Sequence, residues 1–226
     1  LESVRDSQAQ AVAALVESWR REAQVYGANK GVYHALGMLR DAAYGLPEDG
    51  RMNVADEGYL SSVEQFASTF TPYVEVLGFE DAMLVDDYGW VLLTVGRGPE
   101  WGLNLARNPA ISRTNLSAAW QAALGGQTVF ADFAPFPGPG GAPAAFMATP
   151  VWNHTHDQVQ GVAVLRLPRD AILAQLALRS GMGRTGRTCL AGPDLKTRPD
   201  ASAAGEIDAP MLEAGLSGRS ASGVTE

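Results

Sequence analysis

The stretch from Gln127 to Arg169 is the feature that most constrains the fold of this chain. It reads QTVFADFAPFPGPGGAPAAFMATPVWNHTHDQVQGVAVLRLPR and contains three apolar runs of strand length. A Pro/Gly-rich loop separates the first two runs, and a polar turn with His154 and His156 separates the last two. The third run stops at Pro168 and leads into a helical pattern. We therefore predict three consecutive antiparallel strands followed by a helix.

Composition and charge narrow the class of protein. The 226 residues are 46% hydrophobic and 19% charged, which is typical of globular domains and not of disordered tails. The formal net charge of -8 argues against binding to nucleic acid or to an anionic membrane surface. No apolar run of about 18 residues is present, so we predict no membrane span within the chain. The single cysteine, Cys189, permits no internal disulfide.

Both ends of the sequence suggest a larger parent protein. The chain begins at Leu1 without a Met and already inside a helical pattern, and it ends at SGVTE, which resembles the start of a strand. We therefore expect it to be a fragment, attached to a membrane only through flanking segments outside this sequence.

The first third of the chain is predicted to be helical, as a region spanning residues 1–78. Apolar residues from Leu1 to Tyr26 recur at spacings of three, four and seven, which predicts one helix roughly 40 Å long. A second helical piece follows to about Leu46, and Asp56 is the predicted N-cap of a third that runs to about Leu77. The long helix could be a lid, a strut or a dimer seam.

The middle of the chain is predicted to be an antiparallel sheet, as a domain spanning residues 79–180. Two apolar runs, Ala82–Val85 and Trp90–Val95, flank the turn DDYG and predict a hairpin. A helix is predicted over Ile111–Leu124, ahead of the three strands described first. The fold class is thus α+β, with a long N-terminal helix packed on a five-stranded antiparallel sheet. Residues 181–226 then read as the incomplete start of a second, smaller unit.

The motifs resemble a known family of sensors when they are taken in order. They are LVDDYGWVLLTV, NLSAAWQAALGG, FADFAPF, PAAFMATPV, GVAVLRLPRDAI and GMGRTGRTCLAGPDLKTRPD. This order is similar to that of the double-Cache, PAS-like sensor domains of bacterial transmembrane receptors. The closest likeness is to the extracytoplasmic part of methyl-accepting chemotaxis proteins, followed by sensor kinases and nucleotide cyclases with the same input module.

The resemblance implies a periplasmic or extracellular domain that holds a small ligand and has no enzymatic activity. A long helix would connect it to a preceding transmembrane segment, and the last residues would open the membrane-proximal Cache unit. Amino-acid-binding members carry an Arg followed by an aromatic residue after the first hairpin, and an Asp beyond a Pro-Tyr pair. Here Pro135-Phe136 is followed by Pro137-Gly138, so an amino-acid site is not implied and the ligand stays open.

Eight residues are candidates for ligand contact. Period-two alternation places Phe130 and Asp132 on one strand face, and Phe133 on the other. A carboxylate beside aromatic rings would favour an amine ligand, whereas in the alternative interpretation Asp132 caps a bulge or bonds a loop amide. An organic acid stays open as well. The full set of predicted ligand-binding residues is Trp90, Trp101, Phe130, Asp132, Phe133, Phe146, Ala148 and Thr149.

Other kinds of site are disfavoured. His154 and His156 form an H-x-H without a third ligand nearby in sequence, so we predict a polar turn and no metal. Gly181–Gly186 matches G-x-G-x-x-G, but a helix precedes it and a strand follows, the inverse of the order that a dinucleotide site needs. No cofactor is predicted. Two alternatives to a sensor stay open: a homodimerisation module built on the first helix, and an enzyme that uses Asp132 and the tyrosines.

Overall fold

The computed structural model describes residues 2–48, 50–138, 141–178, 188–194 and 196–200, together with positions 215 and 217. Five helices and nine strands lie in this part of the chain. The helices are α1 (Glu2–Ala28), α2 (Lys30–Ala42), α3 (Glu57–Glu75), α4 (Asn115–Ala123) and α5 (Arg169–Leu176). The strands are β1 (Pro47–Glu48), β2 (Arg51–Met52), β3 (Asp81–Asp86), β4 (Val91–Thr94), β5 (Val129–Pro135), β6 (Pro143–Trp152), β7 (Val159–Arg166), β8 (Leu190–Ala191) and β9 (Thr197–Arg198).

The central sheet has five strands in the order β4-β3-β7-β6-β5, and every neighbouring pair is antiparallel. The predicted hairpin forms β3 and β4, and the three strands predicted between Gln127 and Arg169 form β5, β6 and β7. The last strand of the run, β7, returns to the middle and pairs with β3. The predicted α+β fold with a five-stranded antiparallel sheet is therefore confirmed.

Helix α1 is the long N-terminal helix and packs across β6 and β7. Its buried face carries Trp19, Ala23 and Tyr26, which are at most 5% exposed. The Tyr26 hydroxyl donates a hydrogen bond to the Met83 carbonyl of β3 at 3.0 Å, so the helix is tied to the centre of the sheet. Because a buried hydroxyl without a partner is costly, this contact fixes the position of the helix along the strand.

The sheet separates two apolar layers. Alternation along β6 sends Ala145, Met147 and Val151 toward α1, α2 and α3, and it sends Phe146 and Ala148 toward α4. All five of these side chains are fully buried. Covering helices on both faces explain why β6 and β7 read as continuous apolar runs instead of alternating ones.

Two predictions about element boundaries need correction. The second helix ends at Ala42 and not near Leu46, because a turn with Gly45 at φ +82° follows it. Helix α4 begins at Asn115 and not at Ile111, because the Thr114 side chain accepts a hydrogen bond from the Ser117 amide and so caps the helix there.

A bulge in β5 corrects the predicted strand faces. The register with β6 shifts between Ala131 and Ala134, so simple alternation stops there. As a result Phe130 and Phe133 both contact the apolar layer between the sheet and helices α1, α2 and α3. Ala131 packs against the other layer, between the sheet and α4. The prediction that Phe130 and Phe133 lie on opposite faces was wrong.

The second unit is represented by a small hairpin of β8 and β9. The Gly181–Gly186 segment and the C-terminal SGVTE run lie outside the described residues. The division into residues 1–78, 79–180 and 181–226 stays a prediction.

Candidate functional site

A cavity of about 760 Å³ lies on the side of the sheet that α1 and α2 cover, at the end of β6. Four segments border it: the junction of α1 and α2, the loop before β5, the last part of β6, and the turn between β6 and β7. Its size falls within the range of about 300–1,000 Å³ that is typical of small-molecule sites.

Close contact between α1 and β6 forms one side of this cavity. A Cβ atom at Gly27 would lie 2.6 Å from Thr149 Cγ2 and 2.8 Å from the Pro150 carbonyl oxygen, so only glycine allows this approach. Asn29 then caps α2, its side chain accepting a hydrogen bond from the Gly31 amide at 2.8 Å. The cap turns the chain so that Lys30, Tyr33 and His34 border the cavity.

The turn after β6 forms the opposite side and presents two histidines. The Asp157 carboxylate accepts hydrogen bonds from Asn153 Nδ2 at 2.6 Å and from Thr155 Oγ1 at 2.8 Å, and these bonds hold its pKa below the usual range. His156 adopts a left-handed backbone conformation with φ +56°. This network holds His154 and His156 at the cavity, with the His156 ring 6.4 Å from that of Trp152.

Hydrogen-bond donors and aromatic rings dominate the lining. Arg20 of α1 is held by a hydrogen bond from its Nη1 to the Thr128 carbonyl at 3.1 Å and by an ion pair with Glu17 at 3.3 Å. The Thr128 and Thr149 hydroxyl oxygens lie 2.9 Å apart. Tyr33 and Trp152 supply apolar surface. Such a mixture of placed polar groups and flat rings is suited to binding a small polar molecule.

The structure does not bring the eight predicted site residues together. Four of them contact the apolar layer under α1, α2 and α3, and these are Trp90, Trp101, Phe130 and Phe133. The Trp101 Nε1 donates a hydrogen bond to the Leu92 carbonyl at 3.0 Å. Phe146 and Ala148 are fully buried in the opposite core. Thr149 alone among the eight borders the 760 Å³ cavity. Ligand contact by each of the eight stays a prediction.

Asp132 already has a partner within the chain. Its Oδ2 lies 2.7 Å from Arg198 Nε of β9, and its Oδ1 accepts from the Phe133 amide at 2.7 Å. The Arg198 guanidinium also contacts Asp194 at 2.9 Å. This cluster joins the β8–β9 hairpin to the bulge in β5, so the Asp132 carboxylate holds two parts of the fold together.

Three carboxyl groups elsewhere are buried, and burial raises the pKa of each. Burial raises the pKa of Asp86 to about 6, against hydrogen bonds from the Trp90 and Tyr88 amides. Burial likewise raises the pKa of Asp81 and of Glu100. Glu100 is 1% exposed, and neither of its carboxylate oxygens accepts a hydrogen bond from the described part of the chain.

Sequence reasoning missed most of the residues at the cavity. Arg20, Tyr33 and His34 come from the N-terminal helices, and Trp152 comes from β6, more than 100 positions away. The H-x-H at positions 154 and 156 is the one local signal, and by itself it predicts a polar turn. The turn itself is confirmed. That it borders the same cavity as α2 could not be predicted from the sequence and is seen only in the folded structure.

Membrane-spanning helices and metal centres are two further features on which the described residues bear. None of the helices there combines the length and the apolar character needed to cross a membrane. No group of three or more His, Cys, Asp or Glu side chains in the same residues has a geometry suited to a metal ion.

Comparisons with known proteins find similarity in structure and not in sequence. No protein-family model matches the sequence, and no curated protein is significantly similar to it. The sensor domain of the Vibrio cholerae histidine kinase DctB has a TM-score of 0.57 at 16% identity, over 79% of this chain. The chain spans 58% of the length of that domain.

A second set of similar structures comes from a chemoreceptor. The ligand-binding domain of Campylobacter jejuni Tlp3 was solved with 4-methylisoleucine and with L-valine, and both structures have TM-scores of 0.52. Identity is 15% and 14%, over 94% and 95% of this chain and 77% and 79% of theirs. The chain therefore has the α+β fold of the Cache-type sensor domains of chemoreceptors and histidine kinases, as its motifs predicted.

Proposed function

We propose that this chain is an extracytoplasmic small-ligand sensor domain of a bacterial transmembrane receptor, and that the receptor is a chemoreceptor. The observation that carries the proposal is the antiparallel sheet with α1 laid across it, a fold shared with the Tlp3 ligand-binding domain and the DctB sensor domain. A periplasmic location, the absence of enzymatic activity and a homodimer formed through α1 belong to the same proposal.

The geometry supports a route from ligand to output. The end of α1 borders the 760 Å³ cavity at Gly27, and its buried face is tied to the sheet at Tyr26. A ligand that contacts both α1 and β6 would favour one arrangement of the helix over another, because only differential affinity shifts a conformational equilibrium. Displacement of α1 would then carry the signal toward the membrane.

A histidine kinase is the second candidate for the output. It is favoured by the DctB sensor domain, whose TM-score is above that of Tlp3. The two candidates share the same ligand-binding event and differ only in the module to which the helix is joined.

A thermal-shift screen tests the sensor function. The purified chain is heated with amines, organic acids and amino acids, and a fluorescent dye reports unfolding. An unrelated globular protein serves as the control for effects of the compounds on the dye. A ligand at about a hundred times its dissociation constant stabilises by about 2.7 kcal/mol, which raises the melting temperature of a domain of this size by about 5–10 °C. If no compound raises it, and calorimetry detects no binding, the proposal is wrong.

A further inference from the structure

We infer that the cavity between the α1–α2 junction and the β6–β7 turn binds a small organic anion, with affinity that increases with its number of carboxylates. The inference rests on the proposed sensor function and names the chemical class of its ligand.

The charge of the lining is the first argument. Seventeen residues border the cavity, and none of them is Asp or Glu. Five of them are basic, and these are Arg20, Lys30, His34, His154 and His156. The chain as a whole has 25 acidic and 17 Lys or Arg residues, so a basic cavity without a carboxylate runs against its composition. It contains all three histidines of the protein.

The origin of these groups is the second argument. Arg20 comes from α1, Lys30 and His34 come from α2, and the other two histidines come from the β6–β7 turn. Donors placed on three separate elements around one cavity can meet several acceptor groups of a single ligand. Charge-assisted hydrogen bonds to carboxylates are about twice as strong as neutral ones, so each further carboxylate adds affinity.

Two acidic groups that lie within three residues of the lining in sequence are already engaged. Glu17 lies 3.3 Å from the Arg20 Nε and does not border the cavity. The Asp157 carboxylate is held inside its own turn by Asn153 and Thr155. Both reduce the local positive potential without occupying the space that a ligand would take.

Apolar surface argues for an organic ligand over an inorganic one. The half-buried rings of Tyr33 and Trp152, together with Pro150, line the same cavity as the basic groups. A volume of about 760 Å³ exceeds what an inorganic oxyanion fills, whereas a small organic acid would contact both the rings and the donors.

Titration calorimetry with the whole chain tests the ligand class. The probes are acetate, malonate and citrate, with malonamide as the uncharged analogue of malonate and inorganic phosphate as the inorganic anion. We expect affinity to increase from acetate to citrate, no heat with malonamide, and phosphate at least about 10-fold weaker than citrate. Citrate affinity should fall as salt is added, because screening weakens charge pairing.

Substitutions locate the site. Lys30→Gln, His34→Gln and His154→Gln change exposed side chains at the cavity, and each should weaken citrate binding about 10-fold. Arg107→Gln, at an exposed position outside the cavity, is the matched control and should leave affinity unchanged. Circular dichroism melts confirm that each variant is folded.

The outcomes separate this inference from the proposed function. Binding of an amine with no binding of citrate or malonate would overturn the anion inference and leave the sensor function intact. Citrate binding that is unchanged in all three cavity variants would overturn the location, and phosphate binding as tight as citrate would overturn the organic class. If no compound of any class binds, both proposals fail.

Discussion

Single residues in this fold serve either to hold elements together or to border the cavity. Asp86 is an example of the first kind. Its buried carboxylate accepts hydrogen bonds from the Tyr88 and Trp90 amides and so closes the β3–β4 turn. The same burial raises its pKa to about 6, which means that the folded state holds the proton more tightly than the unfolded chain.

This shift predicts how stability depends on pH. Asp86 has a folded pKa above its unfolded value of 3.8, so its contribution is fully present below about pH 4 and is lost as pH rises through about 6. The loss is on the order of 2–3 kcal/mol. The unfolding free energy is measured by urea titration at pH 4 and at pH 7. The Asp86→Asn protein should lose less unfolding free energy between these two pH values than the original chain, by the amount that Asp86 contributes.

The control for that measurement is Asp6→Asn, since the Asp6 side chain is 60% exposed. It should preserve the pH dependence of the original chain. An Asp86→Asn protein that loses as much stability between the two pH values as the original would show that the Asp86 carboxylate does not titrate in this window.

Close packing between elements depends on glycine at two interfaces. Gly27 lets α1 approach β6, and Gly161 lets β7 approach both β3 and α2. At Gly161 a Cβ atom would lie 2.5 Å from the Val85 carbonyl oxygen and 2.9 Å from Leu36 Cδ2. A backbone atom in the middle of a sheet cannot move aside cheaply, so the sheet must distort.

We therefore predict that Gly161→Ala lowers the unfolding free energy by about 1–3 kcal/mol through overpacking. Gly37→Ala is the matched control, because Gly37 lies in α2 with no atom within 4 Å of its added Cβ. That change should stabilise the protein by about 0.5–1 kcal/mol through helix propensity. Chemical denaturation measures both, and equal effects of the two substitutions would contradict the close approach.

On the scale of the whole molecule, α1 is part of the core and not an appendage. Trp19 and Tyr26 are buried among residues of α3 and the sheet, and Tyr26 lies 5.9 Å from Phe70 in an edge-to-face arrangement. Burial of two such side chains is worth about 3–6 kcal/mol, a large share of the typical stability of a domain. A helix that served only as a dimer seam would not be embedded in this way.

Removal of residues 1–28 should accordingly abolish cooperative unfolding and cause aggregation, because the apolar surface of β6 and β7 would be exposed. Thermal denaturation and sedimentation velocity of the shortened protein measure this. A folded monomer with an unchanged melting temperature would instead support the reading of α1 as a pure dimerisation element.

The sequence by itself determined the succession of elements. Periodic apolar residues, the Asp56 N-cap and the turn DDYG act over a few residues, so α1, α3 and the β3–β4 hairpin could be predicted from neighbours alone. The antiparallel pairing of β3 with β4, and of β6 with β5 and β7, followed from short connections that leave no room for crossover helices.

The tertiary structure alone decided the faces and the cavity. A bulge in β5 moved Phe133 to the same side as Phe130, and such a shift of register leaves no signature in alternating residues. The cavity joins Arg20, His34 and His156 from segments far apart in the chain, and their proximity depends on how α1 and α2 pack on β6. Local patterns encode which face of an element is apolar, but the meeting of distant polar groups is a property of the packed whole.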